Sequence, residues 1–193
     1  MTKVGEVIES SSAECIAQSY QLNEAPPLGS LVRVSREDGV ITIFGVVAAI
    51  ETRPLDPARK PIARGRNAST LQEIYDEHPQ MRELFRTHFT FRILGHEANG
   101  ALHHYLPPLP PEVHQLVYAC EPEKLIAFTD RLTFLPVLLG GARDDETAAA
   151  FLRHAGVARS PDSHAFLVRA GKEMVNLLQG DAPRLSALLG RLK

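Results

Sequence analysis

The stretch Val40-Ile41-Thr42-Ile43-Phe44-Gly45-Val46-Val47-Ala48-Ala49-Ile50 decides the fold. It is apolar at both parities, which predicts a strand covered on both faces, and Gly45 within it marks a bulge or a sharp coil of the sheet. That is the behaviour of a strand in a barrel. Working outward toward the N-terminus, Lys3–Glu9 and Glu14–Tyr20 read as strands joined by the polar turn Ser10-Ser11-Ser12. Leu31–Ser35 alternates apolar Val32 and Val34 with polar Arg33 and Ser35, as a short strand should. Gly29 and Glu37-Asp38-Gly39 supply turns, at a spacing that suits a small all-β domain better than alternating βα units.

Working outward toward the C-terminus, the pattern stops between Arg53 and Arg66. Pro54, Pro57, Pro61 and Gly65 exclude regular structure there, and Arg53, Arg59, Lys60, Arg64 and Arg66 oppose only Asp56. From Ser69 the period becomes helical: Leu71, Ile74, Tyr75 and His78 follow i, i+3, i+4, i+7, and Thr70-x-x-Glu73 offers a capping box. Pro79 is expected to open a second short helix with Met81, Leu84 and Phe85 as its apolar stripe. Residues 53–87 therefore read as an insertion made of a basic loop and a helical hairpin.

Strand alternation returns at His88–His96, where Phe89, Phe91 and Ile93 point one way and Thr90 and Arg92 the other. Glu97-Ala98-Asn99-Gly100 is a hairpin turn and His103–Leu106 its return strand. Pro107-Pro108-Leu109-Pro110-Pro111 is a stiff connector into a last strand, Val113–Tyr118. Beyond Cys120 the reading is helical, over Pro122–Asp130, Asp144–His154, Asp162–Leu178 and Asp181–Leu192, with Gly180 ending the third. The fold class expected is α+β: a small antiparallel β-barrel over residues 1–118, carrying the 53–87 insertion, followed by a helical segment over 119–193. Leu185, Leu188, Leu189 and Leu192 give the last helix an apolar face, either core or a surface for a partner.

Three segments taken together, Val4-Gly5-Glu6-Val7-Ile8, Leu28-Gly29-Ser30-Leu31-Val32-Arg33-Val34 and Ile43-Phe44-Gly45-Val46-Val47-Ala48-Ala49-Ile50-Glu51, resemble the HAS barrel. This is the N-terminal β-barrel shared by HerA-type DNA-translocating ATPases and the α and β subunits of ATP synthase. Glu73-Ile74-Tyr75-Asp76-Glu77-His78-Pro79-Gln80 and the stretch from Tyr105 through Pro111 to His114 resemble bacterial proteins with that barrel, so the resemblance covers residues 3–118. It implies a non-catalytic barrel at the end of a hexameric ring, packed on other barrels or on a partner. The ATPase half is missing from the pattern. A phosphate-binding loop needs G-x-x-x-x-G-K-[ST], and Gly171-Lys172 is followed by Glu173 inside an amphipathic helix.

Composition limits the functional classes. The chain has 193 residues, 44% of them hydrophobic and 23% charged, and no Trp, which is ordinary for a globular protein and excludes collagen-like, disordered and disulfide-scaffold chains. A net charge of −2 provides no global field for nucleic acid or anionic membrane. No stretch has the apolar core of a signal peptide or approaches the roughly 18 apolar residues of a membrane span. Cys15 and Cys120 lie far apart without a C-x-x-C partner, so two buried reduced thiols in a cytoplasmic protein are expected.

Six of the eight histidines, His78, His88, His96, His103, His104 and His114, fall between residues 78 and 114. His88 and His96 share a parity on one strand, which raises a metal-dependent enzyme as one functional class, although the spacing matches no known ligand pattern. Arg53, Arg59, Lys60, Arg64 and Arg66 raise a second, a nucleic-acid accessory using the loop for phosphate contacts. No interleaved aromatics are present to stack bases, and no nucleophile elbow, Cys/His pair or carboxylate dyad is legible. The leading expectation is a non-enzymatic assembly or adaptor module, without cofactor, that oligomerises or docks on a ring ATPase.

Overall fold

The computed structural model describes residues 2–36, 39–58, 61–140 and 145–192. The strands are β1 (Thr2–Ser10), β2 (Glu14–Ser19), β3 (Leu31–Ser35), β4 (Ile41–Pro54), β5 (Phe85–Ala98), β6 (Ala101–His103) and β7 (Leu116–Ala119). The ring runs β1, β2, β5, β4, β3, β7 and returns to β1, every pair antiparallel, closing a six-stranded barrel. Outside the ring β6 pairs with β5 through a two-residue turn at Asn99 (φ 51°) and Gly100 (φ 77°), the left-handed pair that a tight hairpin requires. The fold class is α+β, as the sequence implies.

The strand that opened the sequence reading is buried on both faces. Ile43 and Val47 join Val7, Val34, Phe89, Phe91 and Val117 inside the barrel, while Phe44 and Val46 face outward beneath helices. At Gly45 the register shifts, and a Cβ there would stand 2.5 Å from Cδ2 of Phe91 and 2.9 Å from the Arg92 carbonyl oxygen. The strands approach so closely that only glycine fits.

The helical layer covers that outer face. It consists of α2 (Pro122–Phe128), α3 (Leu135–Leu139), α4 (Asp145–Ala158), α5 (Ser163–Leu177) and α6 (Ala182–Gly190), with α1 (Leu71–Glu77) lying apart in the insertion. Leu31, Phe44, Val46 and Leu94 from the barrel wall form one apolar core with Phe128, Phe134, Phe151, Leu152, Phe166 and Met174 from the helices. The rings of Phe128, Phe134 and Phe151 meet at centroid distances of 5.4–6.5 Å, in tilted and edge-on arrangements.

Several sequence expectations shift by a turn or less, and others need correction. The four C-terminal helices stand where capping and periodicity placed them, except that α4 runs on to Ala158. A 3-10 turn, Leu132–Phe134, leads directly into α3, an element the sequence reading did not anticipate. The expected helix after Pro79 is a single 3-10 turn, Pro79–Arg82. Phe85 belongs instead to β5, paired with Pro54, and Leu84 stands just before it, where its carbonyl accepts from the Leu55 amide at 2.7 Å. The return strand ends at His103 and the last strand begins at Leu116, because the prolines between them cannot donate to a ladder. The expected turn residues Glu37 and Asp38 and the helix start at Asp144 lie outside the described residues.

Candidate functional site

The residues proposed from sequence distribute over three places. The first is an arm. Beyond Val47 the strand β4 runs past β3 and continues with β5 as a two-stranded ribbon, Thr52 opposite Thr87, Arg53 opposite Arg86 and Pro54 opposite Phe85. This ribbon carries the 55–84 segment and α1. The helix starts as its capping box requires, with the Glu73 amide donating to Thr70 Oγ1 at 3.2 Å and the Ser69 amide to Glu73 Oε2 at 2.8 Å. No residue of α1 is buried, so the cap and the ribbon hold it rather than a core.

Within the arm, Arg53 donates to Glu51 Oε2 at 2.6 Å, so its charge is matched by a residue the loop reading had not counted. Arg64 and Arg66 are exposed, and Arg59 and Lys60 lie outside the described residues. Arg64 borders a hollow of about 420 Å³ whose walls include Ile62, Met81, Leu84 and Phe85. Cation and apolar surface are therefore adjacent. Ile62 is 74% exposed, and Leu55, Leu71 and Leu84 are each more than half exposed on the same arm. The sequence signal for this surface is present, Leu55 and Ile62 among prolines and arginines, but the expected helical hairpin assigns Leu84 to a packed stripe.

The second place is the histidine-rich region, which the fold disperses. Opposite Gly45 stands Ile93 and opposite Phe44 stands Gly95, so Leu94 is an extra residue that turns out into the helical core. The bulge inverts the alternation. His88 shares a face with Arg92 and Val46, while His96, opposite Ile43, lies on the other face, so the shared parity read from sequence does not survive. His96, His103 and Tyr105 form a ring cluster with centroids 5.1–5.2 Å apart. His104 packs edge-on at Phe128, with Nδ1 2.6 Å from Thr133 Oγ1 and Nε2 3.0 Å from the Phe128 carbonyl. Burial pushes its pKa below the ordinary value. The carbonyl partner makes Nε2 the protonated nitrogen of a neutral ring, and both nitrogens are engaged. His114, at φ 73°, pairs with Glu6 at 2.5 Å. Among the described residues no three His, Cys, Asp or Glu side chains converge as a metal site would require.

The third place is the final helix. Leu188 is fully buried and Leu192 nearly so, both in the core that α6 shares with α4 and α5, and Leu185 packs against it. Leu185 is half-buried, and Leu189 is the most exposed of the four, at 36%. The apolar face offered as a partner surface is thus turned inward on the chain's own helices.

A cleft not anticipated from sequence, of about 850 Å³, lies where the β2–β3 loop and the ends of β1 and β7 face α2 and α4. Its walls are mainly apolar, with Pro26, Pro27, Leu31, Leu125 and Val157 prominent. At its rim the Lys3 ammonium sits 4.6 Å from the centre of the Tyr20 ring, and burial, then the charge of Glu6, raises the Tyr20 phenol above its usual range. Cys120 lines the cleft as well, but burial pushes its thiol up to about 12, so it is protonated and unreactive near neutrality.

Among the described residues no helix is long and apolar enough to cross a membrane. Compared with known protein families and with curated proteins, the sequence matches none.

Proposed function

We propose that this protein is a non-catalytic assembly module of the HAS-barrel type, which engages a ring ATPase of the HerA kind through the arm that β4 and β5 carry beyond the barrel. The observation that carries the reading is the arm itself. Ile62 and Leu84 border one hollow, Leu55 is hydrogen-bonded to Leu84 through the backbone, and all three are more than half exposed. Exposed apolar groups gathered on a projection and flanked by Arg64 favour a macromolecular partner. The closed barrel agrees with the resemblance of residues 3–118 to HAS barrels, in which hydrolysis belongs to a separate domain. The rings of His96, His103, His104 and His114 are taken up by ring packing, an ion pair or a backbone contact, which leaves the assembly reading the better supported.

The test is capture of the tagged full-length chain from its native host, with and without nuclease treatment, beside a variant carrying Ile62→Asp and Leu84→Asp. The proposal expects a ring ATPase that survives nuclease and is lost from the variant. Retention that depends on nucleic acid, or recovery of the bait alone, would overturn it.

A further inference from the structure

The open edge of β4 has a property that the barrel does not need. Residues Leu31–Ser35 of β3 pair with Thr42–Val46, and the Gly29 and Ser30 backbones bond Val47, but among the described residues no strand pairs with β4 on this side beyond that point. The bond from the Leu55 amide to the Leu84 carbonyl sets the phase of the ribbon. Because antiparallel pairs alternate, the Arg53 and Glu51 amides turn toward β5, and the backbone groups of Ile50 and Thr52 turn to the open edge. An edge of this kind is a template for another strand.

We propose that this edge pairs with the same edge of a second copy, antiparallel about a two-fold axis at Thr52, so that Glu51 of each chain faces Arg53 of the other. The sequence of the edge selects that register. A two-fold normal to the sheet keeps inner faces with inner faces, so residues must pair with residues of the same parity. Centring on Glu51 would oppose two carboxylates, and centring on Arg53 two guanidiniums. Centring on Thr52 opposes Glu51 with Arg53 twice, at the non-hydrogen-bonded positions where side chains come closest. On the same face it sets Leu55 against Ala49, and on the other it sets Ile50, 44% exposed, against Pro54. Thr52 exchanges two backbone bonds with its counterpart, and each Ile50 amide reaches a Pro54 carbonyl. Pro54 has no amide to lose, which suits it to the last position of such an edge. Within one chain Glu51 and Arg53 already pair at 2.6 Å while 38% and 63% exposed, so association exchanges two solvated contacts for two cross-strand ones.

This deepens the assembly reading and rests on it only for the idea that the barrel associates. The full-length chain, run by light scattering and sedimentation across a hundredfold range of concentration, is expected to show a monomer–dimer equilibrium. Glu51→Arg alone and Arg53→Glu alone each oppose like charges and should raise the dissociation constant by about tenfold or more. Mixing the two variants should restore association, because the two arginines of one chain then face the two glutamates of the other. The double exchange in one chain should also restore it. A wild-type monomer at all concentrations, single variants that associate as well as wild type, or a mixture that stays monomeric would each overturn the proposal. A monomer that still binds a ring ATPase would overturn the pairing and leave the docking reading standing; a dimer that binds none would do the reverse.

Discussion

Gly29 lies against Ala150 so closely that a Cβ on the glycine would stand 2.6 Å from both the carbonyl carbon and the Cβ of the alanine. Gly29 also has φ +81°, a conformation that L side chains rarely adopt. This contact lets α4 lie directly on the barrel wall, where Thr147 donates to the Ala48 carbonyl at 3.4 Å. Gly29→Ala should therefore destabilise the protein by about 3 kcal/mol, combining overpacking with backbone strain. Denaturant unfolding checks this, and the midpoint should fall with little change in slope.

The leucines of α6 separate by burial. Leu188→Ala leaves a cavity in the shared core and should cost about 2–5 kcal/mol, whereas Leu189→Ala should cost under about 1 kcal/mol. Thermal or denaturant unfolding of the two variants side by side would show whether the stripe is core.

The sequence made much of this legible where one rule acted alone. Val32 to Ser35 alternates cleanly and the expected strand Leu31–Ser35 is β3 to the residue, and the capping box at Thr70 and Glu73 opens α1. The failures come where an unpaired residue or a distant contact decides. The sequence reads as alternating from Phe89 to His96, yet Leu94 bulges out into the core beneath the helices, and the side chains beyond it change face. The face of α6 was ambiguous for the same reason: periodicity shows which residues share a stripe, not what covers it. Leu84 escapes the local pattern because the group that fixes it, the Leu55 amide that donates to its carbonyl, lies far back in the chain, just past the end of β4.

His104 gives a pH dependence of definite sign. Its folded-state pKa lies below the ordinary 6.5, chiefly through burial, so the unfolded chain binds the proton more readily. Its contribution is fully present above about 6.5 and is lost as pH falls through the lower folded-state value. Stability measured between pH 7.5 and 5 should fall more steeply for the native chain than for His104→Phe, which removes the titrating ring at a fixed cost in hydrogen bonds.

Thiol reactivity should report the two cysteines as structural. Burial raises the pKa of Cys15, and that of Cys120 to about 12, so both should react slowly with a thiol reagent at pH 8 in the folded protein and rapidly in denaturant. Fast labelling of Cys120 under native conditions would mean that the cleft opens between the barrel and α2.

The cap of α1 can be weakened without touching the core. Thr70→Ala removes the acceptor for the Glu73 amide and should destabilise α1 by about 1 kcal/mol. Hydrogen exchange over Leu71–Glu77 should accelerate while the barrel strands keep their protection.

The central claim is that the arm is a docking surface for a ring ATPase, and the most direct measurement is titration of the purified full-length chain with the ATPase it captures, beside the variant carrying Ile62→Asp and Leu84→Asp. The account predicts saturable binding to the wild type, insensitive to nuclease, and its loss in a variant whose unfolding curve is unchanged. Equal binding by the two proteins, or no binding by either, would contradict it.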